Sequence, residues 1–356
     1  MLTFVVMPCL DEVALVADAV TSLGFSKNED PPEAAHLIIV DNGSTDGTLR
    51  VLDDLQKRSP ESVHLVTEPT RGFVPPRRRG VREAERLART RGVQPEEVLI
   101  LQADADTVYR KRYVTIMQAA AAEARGALLE GSTKPPLDFA ARHPNYLAAQ
   151  RLVDDETDPL NAEDEDEVVL DDKVCGYRLS DYLIWGGLFE EFTTIGDAIH
   201  AETTRMFIRA RLRHCARKLR VNTAGAIPSR RKVRADPRLQ YTTVGFPRET
   251  SWIEARAMGA DRTRDIERFA AAVLQGREPE AVRLRRAHQL ALFRYLPALV
   301  AEASGTRIRA NWPPDVTAAL AALPTFSADE LANSPGTALL AVLHLIDVRP
   351  NLFCKP

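Results

Sequence analysis

Leu37-Ile-Ile-Val-Asp-Asn-Gly-Ser-Thr-Asp-Gly-Thr48 is a short apolar, β-branched run that ends at a carboxylate and enters a Gly-containing turn. Leu49, Leu52 and Leu55 then recur at helical spacing, so the stretch reads as strand, turn and helix. Asn42-Gly43 suits the turn, and Ser44 or Thr45 suits the cap of a helix beginning near Asp46. Upstream, Leu2-Thr-Phe-Val-Val-Met7 reads as a buried strand ending at Pro8, and Val13, Leu15, Val16, Ala19, Val20 and Leu23 follow at helical spacing. Downstream, a strand at 63–67, a helix around 81–90 and a strand at 98–102 continue the alternation. This alternation predicts an α/β fold with a mostly parallel sheet flanked by helices. Ligands of such sheets bind beyond the carboxyl ends of the strands, so residues just after each strand are the first candidates for chemistry.

The 356 residues allow two or three units of about 150 residues each. Hydrophobic residues make up 45% and charged residues 27%, which excludes disorder for most of the chain. Lys and Arg total 47 against 50 Asp and Glu, and the net charge of -3 gives no global case for nucleic acid or a membrane surface. Cys9, Cys175, Cys215 and Cys354 form no CxxC pair, so buried thiols in a reducing compartment are expected rather than a zinc knuckle or a disulfide scaffold. No signal-peptide pattern precedes the first strand, and the apolar run at 338–346 contains His344 and is about half the roughly 20 residues that span a bilayer. A cytoplasmic protein without a transmembrane segment is expected.

Charge is unevenly placed. Residues 154–172 are acidic and read as an exposed, mobile loop, with a lid over the site as the alternative, while residues 205–238 are dense in Arg and Lys. From about residue 240 the chain is rich in Ala, Leu and Arg, with Leu290, Leu292, Leu296, Leu299 and Val300 at helical spacing. The division expected is a catalytic α/β domain over 1–240 and a C-terminal helical appendage over 241–356.

Asp104 and Asp106 follow the apolar run Leu99-Ile-Leu-Gln102 and are the sharpest chemical feature. If strand geometry persists, both carboxylates share one face about 6.6 Å apart. Their repulsion of about 2.5 kcal/mol at an effective dielectric of 20 would be reversed by a divalent cation. Hard carboxylate oxygens suit Mg²⁺ or Mn²⁺, which typically sit between one or two carboxylates and substrate phosphates. An Asp-rich turn capping the next helix is the plainer account. Asp41, at the end of its strand, is placed to bond a nucleobase or ribose. In Arg71-Gly-Phe-Val-Pro-Pro-Arg-Arg-Arg-Gly80, Arg77 to Arg79 either meet phosphates or begin a solvated helix.

In order, these motifs resemble those of the nucleotide-diphospho-sugar glycosyltransferases of the family 2 type, whose fold is called GT-A. Pro8-Cys-Leu-Asp-Glu12 resembles the family's Pro-x-x-Asn-Glu, and Leu37 to Thr48 its Val-Asp-Asp-Gly-Ser-Thr-Asp-Gly-Thr, with Asn42 in place of the second Asp. Arg71 to Gly80 matches Arg-Gly-x-x-x-Ala-Arg-Asn-x-Gly in frame, and Asp104-Ala-Asp106 corresponds to the Asp-x-Asp metal motif. Arg178-Leu-Ser-Asp-Tyr-Leu-Ile-Trp-Gly-Gly187 resembles the acceptor-side Arg, Tyr and Gly-Gly, and Ile227-Pro-Ser-Arg-Arg-Lys232 resembles a Thr-Ser-Ala-Arg-Arg segment.

The resemblance covers roughly residues 1–240 and implies a role for each match. Pro8, Glu12 and Asp41 would line the nucleoside site, and Arg77, Arg230 and Arg231 would face the diphosphate. Asp104 and Asp106 would hold Mn²⁺ or Mg²⁺. Asp197 takes the place of the catalytic base, although Gly196 replaces the adjoining Glu, and Glu202 is the reserve. His200 and His214 are weaker candidates for the metal shell. The implied activity is inverting transfer of a sugar from a nucleotide-diphosphate donor to an acceptor hydroxyl of unknown type. A retaining GT-A transferase, a sugar nucleotidyltransferase and a non-catalytic sugar-nucleotide-binding protein are the alternatives; the nucleotidyltransferase lacks its Gly-rich loop and Lys after the first strand. The helices beyond 240 are free to brace the pocket, cover it or make a dimer contact.

Overall fold

Every second residue of the first strands faces the same helix layer, and this period of two builds two hydrophobic cores from one set of strands. The computed structural model describes residues 1–26, 31–162, 166–245, 264–308 and 311–353. β1 (Leu2–Cys9), β2 (Ala35–Asp41), β3 (Val63–Thr67) and β4 (Val98–Gln102) pair in parallel in the order β3-β2-β1-β4. Phe4, Val6, Ile38, Val40 and Ile100 pack on one face with Val81, Ala84 and Leu87 of α3 (Val74–Thr90). Val5, Met7, Leu37, Ile39, Leu99 and Leu101 pack on the other with Val16 and Val20 of α1 (Val16–Ser22) and Val114 and Met117 of α4 (Tyr113–Glu123). Both faces are covered, which is why these strands read as unbroken apolar runs.

The sheet continues through β7 (Cys175–Arg178), β6 (Ala127–Thr133), β8 (Arg217–Pro228) and β5 (Thr107–Tyr109), giving the order β3-β2-β1-β4-β7-β6-β8-β5. β7 is antiparallel to both neighbours, β6 and β8 run parallel, and β5 closes the edge antiparallel to β8. The expected α/β class with a mostly parallel, helix-flanked sheet is borne out. α3 begins at Val74, earlier than its apolar spacing suggested, because Pro75 and Pro76 are tolerated in its first turn. It can lie close on the sheet only because Gly80 has no side chain: a Cβ there would sit 2.3 Å from Val6 Cγ1.

The expected capping of α2 (Thr48–Arg58) is corrected. Gly47 is its N-cap in the left-handed region, and Asp46 Oδ1 accepts from the Thr48 N–H at 3.0 Å. Ser44 and Thr45 reach across to the loop after β1 instead: the Asp11 N–H donates to Ser44 Oγ at 3.0 Å, and the Thr45 N–H donates to Asp11 Oδ1 at 2.7 Å. The two loops that follow β1 and β2 are thereby tied together.

The remaining helices are α5 (Leu137–Arg142), α6 (Pro144–Thr157), α7 (Leu179–Ile184), α8 (Glu202–His214), α9 (Arg231–Ala235) and α10 (Pro237–Thr242). Beyond them come α11 (Ile266–Leu274), α12 (Pro279–Leu290), a π-turn at Ala291–Tyr295, α13 (Leu296–Ala303), α14 (Pro314–Ala322), α15 (Ala328–Asn333) and α16 (Pro335–Val348). The helical character expected after residue 240 is present from 264 onward; residues 246–263 lie outside the described residues, as does Cys354. Among the described residues no helix is long and apolar enough to cross a membrane. Cys9 and Cys175 are buried as expected, whereas Cys215 is exposed, just after α8.

The acidic stretch is not a free loop over its described part, 154–162 and 166–172. Asp154 lies on α6 and takes a two-point contact from Arg285, at 2.8 and 2.7 Å, with Gln289 at 2.9 Å. Glu156 pairs with Arg286 at 2.6 Å, and Asp166 with Arg307 at 3.3 Å. Glu167 pairs with Arg220 and, at 2.5 Å, with buried Lys218, which also meets Glu130 at 3.3 Å. Acidic composition that reads as solvated is used here to fasten the C-terminal helices and β8 to the rest of the chain.

On the sheet's far edge His64 Nε2 lies 3.3 Å from His36 Nδ1. Burial, then the charges of His36 and Arg91, push His64 down to about 4, with Arg86 lowering and Glu83 raising it. The folded state therefore holds His64 neutral where the unfolded chain, with a His pKa of about 6.5, takes up a proton. Stability is fully present above that value and is lost as pH falls through about 4. His64→Gln is expected to flatten the decline in melting temperature between pH 7 and 4; an unchanged decline would remove His64 as its source.

Candidate functional site

In the order β3-β2-β1-β4 the chain moves outward from β1 to β3 and then returns to the other side of β1, so the β1/β4 boundary is the switch point where a crevice opens beyond the strand ends. Pro8 and Glu12 come from the β1 end and Asp104 and Asp106 from the β4 end. Arg231 reaches the same place from the β8–α9 junction. The Glu12 N–H donates to Thr48 Oγ1 at 2.8 Å, which fixes the loop after β1 against α2.

β4 ends at Gln102, so the two aspartates do not share one strand face; this corrects the sequence expectation. They lie on a turn before β5 in which the Thr107 N–H donates to the Asp104 carbonyl at 3.2 Å. Tyr109 holds that turn: the Asp104 N–H donates to its hydroxyl at 2.9 Å, and the hydroxyl donates to the Lys173 carbonyl at 3.0 Å. Each carboxylate consequently meets a different cation. Asp104 Oδ1 accepts from Arg77 Nη2 at 2.8 Å, whereas Asp106 Oδ2 accepts from Ser229 Oγ at 3.0 Å and lies 3.3 Å from Arg231 Nη2.

Arg77 is neither a solvated helix start nor a free phosphate ligand. It is 7% exposed, and its Nε donates to Glu202 Oε1 at 3.0 Å while Nη2 holds Asp104. Its Nη1 is buried without a hydrogen-bond partner. Burial alone would lower the guanidinium's pKa, but Asp104 and Glu202 outweigh it and keep the charge in place. Burial likewise opposes ionisation of Asp104, yet Arg77 and Lys173 hold it below the usual carboxylate range.

Asp172 and Thr203 belong to this cluster, and no sequence signal singled them out. Burial, then Glu202, raises Asp172 to about 7, against the opposing pull of Arg77 and a hydrogen bond with Thr203. Asp172 Oδ1 is buried without a partner. Thr203 also shares hydrogen bonds with Gln102 at 3.1 and 3.2 Å, linking α8 to the end of β4.

Arg231 completes the opposite wall. Its Nη1 donates to Glu12 Oε2 at 2.8 Å and its Nη2 to Glu12 Oε1. Burial raises the Glu12 pKa, partly offset by this arginine. Arg230 points elsewhere: its Nε is buried without a partner, and its guanidinium stands 5.8 Å from the Phe139 ring. Asp41 is buried, with its carboxylate accepting from the Gly43 N–H at 3.0 Å and the Ser44 N–H at 3.2 Å, so it shapes the loop after β2. Asn42, the departure from the family's Asp, donates to the Glu68 and Thr70 carbonyls at 2.7 Å each and so pins the loop leading to α3.

Gly186 and Gly187 end α7 with positive φ, and a Cβ on Gly187 would meet the Tyr182 ring at 2.8 Å. Asp197 lies on a turn closed by a bridge between Phe192 and Ala198, where its N–H donates to Thr193 Oγ1 at 3.0 Å. Buried Arg205 holds this segment by donating to the carbonyls of Phe189, Ile199 and His200 and to Glu191 at 3.1 Å. Glu191 in turn accepts from the Gly336 N–H at the start of α16, at 2.9 Å. The His200 ring packs against Phe73 with centroids 4.1 Å apart and planes tilted by 52°; His214 ends α8.

Among the described residues no group of three or more His, Cys, Asp or Glu side chains is arranged to hold a metal ion. The carboxylate oxygens of Asp104 and Asp106 are hard ligands of the kind that suit Mg²⁺ or Mn²⁺, while the unpaired Nη1 of Arg77 is a donor that suits an anionic oxygen.

The sheet order describes an α/β domain whose charged side chains gather beyond the ends of β1 and β4. Residues 4–170 match the model described as glycosyl transferase family 2. No curated protein matches the sequence. Solved structures resemble it at low identity. TarS 1-349 from S. aureus is 15% identical with a TM-score of 0.48, over 98% of this chain and 92% of that one. The mannosyltransferase PcManGT from Pyrobaculum calidifontis, in complex with GDP-Man and Mn²⁺, is 16% identical with a TM-score of 0.47, over 96% and 86%. Glucosyl-3-phosphoglycerate synthase from Mycobacterium tuberculosis is 14% identical with a TM-score of 0.38, over 78% and 79%.

Proposed function

We propose that this protein is a glycosyltransferase that moves a sugar from a nucleotide-diphosphate donor to an acceptor hydroxyl with inversion at the anomeric carbon, using Mn²⁺ or Mg²⁺. The observation that carries the reading is the convergence of Glu12, Asp104 and Asp106 with Arg77 and Arg231 at the switch point of the sheet. The loop shaped by Asp41 and the end of β1 at Pro8 would flank the nucleoside, and Arg231 would face the diphosphate; Arg230, turned toward Phe139, has no part in that contact. Asp104 and Asp106 would hold the cation, which when bound supplies Lewis-acid stabilisation of the leaving diphosphate. Arg77 contributes by orienting Asp104, and its charge adds to the field around the developing negative charge.

The acceptor oxygen bonds to the anomeric carbon as the bond to the diphosphate breaks, and the hydroxyl proton must leave on the acceptor side. Glu202 is bound to Arg77 and 4% exposed, which favours half-buried Asp197 as the proton acceptor. Such general-base help typically contributes about 10²- to 10⁴-fold. Asp197→Asn is therefore expected to cut turnover by that order while donor affinity stays near wild type. Unchanged turnover would sink the assignment.

The donor reading is tested by melting the full chain with UDP-, GDP- and TDP-sugars in the presence of Mn²⁺ or Mg²⁺. A donor at 100 times its dissociation constant stabilises by about 2.7 kcal/mol. If no nucleotide sugar raises the melting temperature, the reading fails. A donor-hydrolysis assay alongside separates a transferase from a protein that only binds sugar nucleotides.

A further inference from the structure

Two arginines serve the carboxylates of the cleft, and they differ in freedom. Arg77 is enclosed, its side chain 9% exposed and tied between Asp104 and Glu202. Arg231 has a side chain 46% exposed and begins the five-residue helix α9, yet it holds Glu12 at two points and reaches Asp106 at 3.3 Å. It therefore bridges one carboxylate from the β1 end and one from the β4 end, as a divalent cation would. Asp106 Oδ2 already receives Ser229 Oγ at 3.0 Å, so Arg231 occupies the remaining approach to that oxygen.

We infer that Arg231 is the resident cation of the donor-free cleft and releases Glu12 and Asp106 only when a diphosphate arrives to take its guanidinium, so that metal binding waits on the nucleotide. This rests on the donor reading above. A guanidinium recognises phosphate oxygens with the same paired geometry it uses for a carboxylate, so the exchange replaces one two-point contact by another. Without nucleotide, a metal ion has to compete with a bound positive charge. With nucleotide, the competitor is drawn away and phosphate oxygens are added to the ligand set. Each ligand then strengthens the other by the same factor. Phosphate ligation alone would also couple them, so the distinguishing quantity is the affinity for the metal by itself.

The test titrates Mn²⁺ into the full chain and reads the free ion by electron paramagnetic resonance, for wild type, Arg231→Ala and Arg231→Lys, with no nucleotide and then with UDP or GDP. Arg231→Ala is expected to bind Mn²⁺ alone about tenfold more tightly than wild type, and to gain less from nucleotide. Arg231→Lys, which keeps a point charge but loses the fork, is expected between the two. Equal affinity of all three proteins for Mn²⁺ alone, with UDP or GDP still tightening Mn²⁺ on wild type, overturns this inference and leaves the donor reading standing. If neither nucleotide changes the Mn²⁺ affinity of wild type, the handover is overturned together with that reading.

Discussion

Arg77→Met is expected to lower the unfolding free energy by about 3–5 kcal/mol, the usual cost of removing one member of a buried ion pair. The cost arises because Glu202, 4% exposed, loses the Nε donor at 3.0 Å and keeps its charge in a place from which water is excluded. Asp104 also loses its partner at 2.8 Å, so donor affinity in Mn²⁺ is expected to fall with stability. Denaturant unfolding measures the first effect. The double variant Arg77→Met, Glu202→Gln separates the causes: if burial of an unpaired Glu202 dominates, it recovers much of the stability without recovering donor binding. A loss in the single variant no larger than that of an ordinary surface change, about 0.5 kcal/mol, would show that Arg77 does not anchor the cluster.

The second large effect is expected on catalysis, with little change in stability. Asp106→Ala removes one of the two proposed cation ligands and leaves Arg231 still paired with Glu12. Turnover at saturating donor is expected to fall by about 10²- to 10³-fold, the size seen when one stabilising group is taken from a developing oxyanion. The melting temperature of the donor-free protein is expected to stay close to wild type. Wild-type turnover in this variant would take Asp106 out of the cation's ligands.

The C-terminal helices are tied to the segment before α8 and to α8 itself. Glu191 links Arg205 to the start of α16, and Arg209 donates to the Ala332 carbonyl at 2.9 Å. The near-neutral net charge of -3 hides the placement of the acidic stretch: Asp154, Glu156 and Asp166 pair with Arg285, Arg286 and Arg307, Glu167 pairs with Lys218 and Arg220, and Asp172 lies among the charges of Glu202, Arg77 and Asp104.

Much of the fold was legible because its cause is local. Alternating apolar runs such as Leu37 to Val40 are buried on both faces, and their lengths and order name the strands without reference to anything distant. The short strands β5 and β7 were not legible. β5 spans three residues and β7 four, too few for a period to show. Ser44 and Thr45 were misassigned for a related reason: a hydroxyl just before a helix expected to begin near Asp46 suits a cap, but the helix begins at Thr48 and Asp11 takes both hydroxyls from 33 and 34 residues away. Asp172 had no signal at all, being one carboxylate in an acidic run.

By itself the sequence determined the alternation of strand and helix, the family motifs and the positions of the carboxylates that follow β1, β2 and β4. Backbone periodicity and turn chemistry act within a few residues, and a single chain displays them. Only the tertiary structure decided which cation each carboxylate meets. Arg77 finds Asp104 across 27 residues and Glu202 across 125, and Arg231 finds Glu12 across 219. Such pairings follow from how the sheet returns past β1 and how α8 and α9 dock against it; no local pattern encodes the distance between charges that the fold alone brings together.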